Sequence, residues 1–531
     1  MSFTSYEFIL AVAVVFVIYY IMPKRYQWMF LLGASYLFYY SAGPSYLIFI
    51  SITTLATYFA ARKINALSVE RSTYLKANKE TLDKAAKKAY KESIKKKQRM
   101  FLWLALFVDL GLLIGIKYTN FVIENINGII TSVSNMGAIS YLDIIMPLGI
   151  SFYTFQTVAY LVDVYNEKCE AQNNYGKFAL FVGFFPQLSQ GPISRYSDLS
   201  KTLYEEHRFD AKVVAFGLQR ILWGYFKKLV IADRVFVGLK TLLAKPDEYT
   251  GAYFFVATVF YAIQLYADFT GGIDITIGIA EVMGIKLKEN FMRPFFAKSL
   301  KEYWTRWHIS MCSWFRDYMF YPISISKFSL ELSKKAKKLF GEGVSKRVPI
   351  YLATTVVWFT TGIWHGPSWS FIAWGLANGF VMLASQELSP LYTKFHGRFH
   401  VEGKLWYKVF CVVRTLLLVS FISMFDCYTA DVTIPFKLFC SMFTVRNYSI
   451  LWDGSMLKLG LSVTDYLVLL FGVLLIFTVS MLQRKKQVRE RILELPYPVR
   501  VSIWLALFVV VILAGAYGQG YDASAFIYNQ F

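Results

Sequence analysis

The chain has 531 residues, of which 56% are hydrophobic, 18% aromatic and only 17% charged, with a net charge of +21. A soluble domain is nearer a quarter charged, so this composition excludes an ordinary soluble protein. The positive charge is gathered into patches beside apolar runs, which argues against nucleic acid as a partner and fits the loops that flank membrane spans.

The first apolar run, Tyr6 to Met22, lacks the basic segment and small-residue cleavage site of a signal peptide, and predicts an uncleaved span. Lys24 and Arg25 follow it, whereas the turn Ser41–Ser45 carries no charge. Between Arg62 and Arg99 there are thirteen Lys or Arg against four Asp or Glu, which predicts a basic cytoplasmic loop drawn to anionic lipid. A span is expected over Phe101 to Ile123, and the segment Asn127 to Ser140, free of Lys and Arg, on the outer side. Further spans are predicted over Ala252 to Met283, Tyr466 to Leu482 and Val501 to Tyr517, long enough for the ~20 residues a bilayer needs. Two more basic patches, Lys334–Arg347 and Arg484–Arg500, are expected in the cytoplasm, which leaves both chain ends extracytoplasmic.

From Leu142 to Asp317 the apolar pattern is interrupted by Pro147, Gly149, Pro186, Gly191, Pro192, Lys227, Lys228, Asp268, Gly271 and Gly272. Broken helices persist in a membrane only where protein or a watery cavity covers the freed backbone groups, and charges at that depth mark a pathway or a site. This middle stretch is therefore read as the functional core. No internal repeat of the transporter kind is evident.

Five histidines occur, and two of them stand in aromatic, apolar surroundings: His308 in "YWTRWHISMCSWFRDY" and His365 in "WFTTGIWHGPSWSFIAWG". Either could be a hydrogen-bonded core residue. Inside a membrane, beside Trp364, Ser310 or Gly366, function is favoured, and an imidazole suits taking a proton from a hydroxyl. His207, His396 and His400 lie in polar segments and read as solvated loop residues. A metal is the competitor, with His308 and Cys312 four residues apart on one helical face, but no further ligand pattern completes it. Arg306, Arg316 and Asp317 suit anchoring of an anion, an ion pair at a helix end, or interfacial snorkelling. Asp268 and Asp274 could orient the histidines or cap a broken helix. The five cysteines form no paired framework and read as reduced thiols, mostly buried.

At these residues the chain resembles the membrane-bound O-acyltransferases, in the branch that modifies bacterial polysaccharides. The resemblance rests on five ordered stretches: "MPLGISFYTFQTVAYLVDVY", "FFPQLSQGPISRYSDL", "QLYADFTGGIDITIGIAEVMGIKLKENF", "EYWTRWHISMCSWFRDYMFYP" and "GIWHGPSWSFIAWGLANG". It implies an all-α polytopic membrane protein, a ring of helices with broken or re-entrant segments around a central tunnel. It also implies His365 as the principal catalytic histidine, His308 as its partner, and Arg306, Ser310, Asp317, Trp364 and Asp268 in support. No bound cofactor or metal is implied. The donor is a cytoplasmic thioester, either acetyl-CoA or a phosphopantetheine carrier protein. The partners are lipid, an extracytoplasmic esterase-like acceptor and a cell-surface polysaccharide, at the bacterial plasma membrane. The tail "AFIYNQF" resembles an aromatic motif in which a tyrosine, here Tyr528, carries the acyl group outward; an aromatic anchor at the interface is the other reading. Two departures, "YPISISK" after "RDY" and "DFTGGID", touch the expected donor side.

The expected organisation is N-terminal spans over 1–61, a basic loop over 62–100, the catalytic core over 101–425, C-terminal spans over 426–517 and the tail over 518–531. O-acetylation is the leading reading; D-alanyl transfer to teichoic acid, a solute or lipid-linked sugar transporter, and a non-enzymatic scaffold are the others.

Overall fold

The computed structural model describes residues 3–133, 138–188, 190–484 and 486–517. Among these there are helices and no strand. Six helices are long and apolar enough to cross a membrane: Tyr46–Ala77, Lys84–Lys117, Ala252–Val282, Leu405–Asp426, Val463–Leu482 and Tyr497–Ala514. The all-α, multi-pass architecture expected from the sequence is the one found, and it satisfies the rule that backbone polar groups in lipid must bond within their own segment. The helix at Tyr6–Ile21, 16 residues long, is short for a span.

The chain packs as two units. The first comprises residues 7–214 with 280–287. Its spine is a helical hairpin, Tyr46–Ala77 and Lys84–Lys117. The basic stretch Arg62–Arg99 is the polar end of this hairpin and not a loop, because only residues 78–83 leave the helix. Its Lys, Glu and Ala residues are strong helix formers, and the Asp83 carboxylate caps the second helix by accepting from the Ala86 N–H at 2.6 Å. The predicted span Phe101 to Ile123 thus starts inside a helix and stops at Lys117, with Thr119–Val133 forming a helix of its own. Within the hairpin Thr57 donates to Asp109 at 2.7 Å, and Gln98 donates to the Ile64 carbonyl at 3.0 Å. Such bonds give buried polar groups a partner across the helix pair. His207 is not solvated as expected: half-buried, it pairs with the Thr202 carbonyl at 2.8 Å and packs against Gly284.

The second unit comprises 3–6, 215–279 and the described residues from 288 on. Here Ala252–Val282 runs unbroken through Gly271 and Gly272, where an interruption was expected. These glycines serve close approach: a Cβ on Gly224 would stand 2.7 Å from the Gly271 carbonyl oxygen, and one on Gly271 would stand 2.9 Å from that of Gly224. The irregularity falls one element earlier, where Phe226–Ala232 winds as a π-helix. That wide turn brings Lys228 between Asp233 and Asp268, 2.7 Å from each, and Lys227 to Asp274 at 2.7 Å. Arg220 completes the network with Asp274 at 2.8 Å and Glu289 at 2.6 Å. Lys334–Arg347, expected as a loop, lies within the helix Lys327–His365, kinked at Gly341 with φ 83°. Of the cysteines, Cys411 is buried and Cys440 exposed.

Candidate active site

Both inner histidines belong to the second unit, and each sits at the end of a helix. His308 separates two short helices, Leu300–Arg306 and Ile309–Phe315. Its backbone is left-handed, φ 46° and ψ 51°, a conformation that costs a non-glycine residue ~1–2 kcal/mol and persists only where its surroundings impose it. Asn290 supplies that imposition. Its carbonyl oxygen accepts from the Ile309 N–H at 3.0 Å, its side-chain oxygen accepts from the Ser310 N–H at 2.9 Å, and its side-chain amide lies 3.2 Å from His308 Nδ1. The imidazole is 1% exposed and meets the Phe269 ring edge to face, centroids 5.0 Å apart.

His365 is the last residue of Lys327–His365, and the chain turns through Gly366 into Trp369–Glu387. Ser368 caps the second helix, accepting from the Ser370 N–H at 3.1 Å, while its hydroxyl donates to the Thr429 carbonyl at 2.6 Å. The hairpin is clasped by glycines. A Cβ on Gly362 would lie 2.4 Å from the Phe371 carbonyl oxygen, and one on Gly375 would lie 2.3 Å from that of Trp358. This clasp holds the His365 ring against Trp374, centroids 4.5 Å apart, and stacks it on Phe371 at 6.2 Å.

Trp364 brings the two elements together. Its indole is 6.1 Å from the His308 ring and 5.2 Å from that of His365. Trp304 ties the pair more firmly. Its indole N–H donates to Asn378 at 3.1 Å, and its ring packs on Trp358 and Trp374 at 4.9 and 5.6 Å. The result is two imidazoles in a tryptophan cradle, His308 buried and His365 half-buried, where polar interactions are stronger than in water.

Of the remaining residues singled out from the sequence, Ser310 sits beside His308 and the charged ones engage ion-pair partners of their own. Ser310 is buried beside His308 through Asn290. Arg306 pairs with Glu302 at 2.5 Å and lines a cavity separate from the histidines. Asp317 pairs with Arg316 at 2.9 Å within the π-helical Arg316–Phe320, the ion-pair alternative of the sequence reading. Asp268 gives its carboxylate to Lys228, and Asp274 to Arg220 and Lys227. Cys312 directs its thiol to the Trp307 carbonyl at 3.5 Å, and His308 precedes the helix that carries it, so the shared helical face does not exist. Among the described residues no group of three His, Cys, Asp or Glu is arranged to hold a metal. Tyr528 lies outside the described residues. Asn290 and Asn378 were not singled out from the sequence; the one signal for Asn290 was its place at the end of the "KLKENF" stretch.

Comparison with known proteins places this geometry in context. The profile of the MBOAT, membrane-bound O-acyltransferase family, matches residues 172–425, which contain both histidines. A probable alginate O-acetylase of Azotobacter vinelandii is 31% identical over 381 residues, 71% of this chain and 67% of the relative. A peptidoglycan O-acetyltransferase of Helicobacter pylori is 30% identical over 325 residues, 56% of this chain and 58% of the relative. A teichoic acid D-alanyltransferase of Bacillus subtilis is 27% identical over 281 residues, 52% of this chain and 67% of the relative. The chain thus spans about two thirds of the alginate relative and a little over half of the peptidoglycan one.

Proposed function

Since the chain belongs to the membrane-bound O-acyltransferase family, we propose that it moves an acetyl group from a cytoplasmic thioester across the membrane for O-acetylation of a cell-surface polysaccharide. His365 acts as the base. It takes the proton of the acceptor hydroxyl as that oxygen attacks the thioester carbonyl, forming a tetrahedral intermediate whose oxyanion needs a donor. His308, held by Asn290, donates to that oxygen. Collapse of the intermediate breaks the carbon–sulfur bond, and the proton on His365 passes to the departing thiolate, so the thiol leaves and an ester remains. The Tyr528 hydroxyl is the first acceptor, and an extracytoplasmic esterase-like protein takes the acetyl group onward. Orientation follows the basic patches, with both chain ends outside.

The observation that carries the reading is the packing of both imidazoles on one indole, in a chain whose relatives are named for O-acetylation of alginate and peptidoglycan. D-alanyl transfer, the activity named for a more distant relative, shares the chemistry and differs in the group moved.

The experiment is mass spectrometry of the C-terminal tail from protein purified out of cells, beside His365→Ala. An acetyl increment on Tyr528 that vanishes in the variant is the expected result, and an alanyl increment favours the other donor. If Tyr528 is unmodified and thioester turnover is indifferent to His365, acyl transfer is refuted and a proton-relay transporter or a scaffold takes its place.

A further inference from the structure

The second unit contains a cavity of about 910 Å³ that neither His308 nor His365 lines. It is at the upper end of the ~300–1,000 Å³ usual for small-molecule sites. One end is ionic. Six cationic side chains face it against two acids, Asp274 and Glu289. Those acids are already engaged, Asp274 by Arg220 and Lys227 and Glu289 by Arg220. Arg306 has Glu302, and Arg489 rests on Phe216, donating to its carbonyl at 3.1 Å. Arg293 and Arg484 have no carboxylate partner among the described residues. Arg293 Nε is buried without a hydrogen-bond partner, and a left-handed backbone, φ 53°, carries the side chain. Burial first, then the charges of Arg306 and Arg484, lower the Arg293 pKa from its ordinary value. Arg293, Arg306 and Arg484 thus line one cavity, and of the three only Arg306 has a carboxylate partner among the described residues.

The other end is apolar. Phe471, Leu475 and Val479 recur at four-residue spacing on one wall, and Trp504, Leu507 and Val510 at three-residue spacing on the other. At 1.5 Å per residue each stripe is roughly 9–12 Å long, far more than a two-carbon acyl group needs. These stripes belong to Val463–Leu482 and Tyr497–Ala514, the two candidate spans least buried within the protein. An occupant must carry a phosphate-like charge at one end and a long alkyl chain at the other. Basic pockets between spans are the usual place for anionic lipid headgroups.

We propose that this cavity binds one anionic phospholipid, its phosphate at Arg293 and Arg484 and one acyl chain between the two C-terminal spans. The phosphates of a coenzyme A thioester share the headgroup chemistry but not the chain, and the test separates them. Full-length protein, stripped of lipid in detergent, is titrated with phosphatidylglycerol, phosphatidylcholine or coenzyme A, with bound lipid read by native mass spectrometry and unfolding by thermal shift. Phosphatidylglycerol is expected to bind singly and to raise the melting temperature more than phosphatidylcholine does. Arg293→Gln with Arg484→Gln should weaken it roughly ten- to thirtyfold, the combined loss of two arginine attractions to an anionic headgroup. Val479→Trp fills the apolar seam and leaves the charges, and it should abolish the single bound lipid. Equal binding of both lipids, or binding indifferent to Val479→Trp, overturns the proposal. Stabilisation by coenzyme A that is lost in the arginine pair but kept in Val479→Trp assigns the ionic end to the donor and overturns it too.

Discussion

The glycine clasp below His365 gives the sharpest prediction. In Gly362→Ala the added carbon would stand 2.4 Å from the Phe371 carbonyl oxygen, and in Gly375→Ala 2.3 Å from that of Trp358. Both obstacles are backbone atoms and cannot rotate away. Relief to an ordinary contact, ~3.4 Å or more, forces the two helices apart by about 1 Å. His365 lies three residues beyond Gly362, less than one turn, so the ring moves with its helix. Overpacking of this kind costs about 1–3 kcal/mol, set against the ~1 kcal/mol that Ala gains over Gly in a helix. Net destabilisation is therefore modest, while a 1 Å misplacement of a catalytic group costs on the order of a hundredfold in rate. Thiol release from an acetyl thioester, measured beside thermal unfolding, should show a large loss of turnover with a small loss of stability. Gly33→Ala is the control, since its added carbon meets nothing within 4 Å. Wild-type turnover in both clasp variants would refute the claim that the hairpin's close approach positions His365.

Three further outcomes rest on other contacts. Lys228→Met removes the ammonium shared by Asp233 and Asp268 at 2.7 Å and leaves the carboxylates buried together, which should cost about 3–5 kcal/mol; thermal unfolding in detergent checks it, and Lys228→Arg should recover part. Asn290→Ala frees the left-handed His308 and should lower turnover roughly tenfold to a hundredfold while donor binding, followed by KM, stays near wild type. Ser462→Ala opens the capping box with Asp465 at the start of Val463–Leu482, a loss of about 1 kcal/mol seen in unfolding and not in turnover.

How much of the fold and site is legible in the sequence depends on the range of the interaction. Apolar length and basic flanks are properties of contiguous residues, and they identify the all-α membrane fold and most of the spans. The two histidines stand out because an ionisable group in an aromatic run is expensive and therefore rare. The basic segment 62–100 reads as a loop because charge rules speak to which side a segment lies on, not to whether Lys, Glu and Ala there wind into helix. Gly271 and Gly272 read as a break because the reason for them, the backbone of Gly224, lies on another helix. Asn290 and Asn378 stay invisible on the same ground: their partners, His308 and Trp304, are 18 and 74 residues away.

The two π-helical stretches make chain length itself a determinant. A π turn holds about one residue more than an α turn, and each residue of α-helix rotates the chain beyond it by ~100°. Deleting a single residue within Phe226–Ala232 would let that turn tighten to α, and Lys228 would swing away from the carboxylates at Asp233 and Asp268. The same edit within Arg316–Phe320 would re-aim everything between His308 and the long helix that ends in His365. At the 78–83 turn a residue more or less changes only an exposed connection. Insertions and deletions among homologous chains should therefore gather at that turn and avoid both wide turns, even where the side chains within them vary.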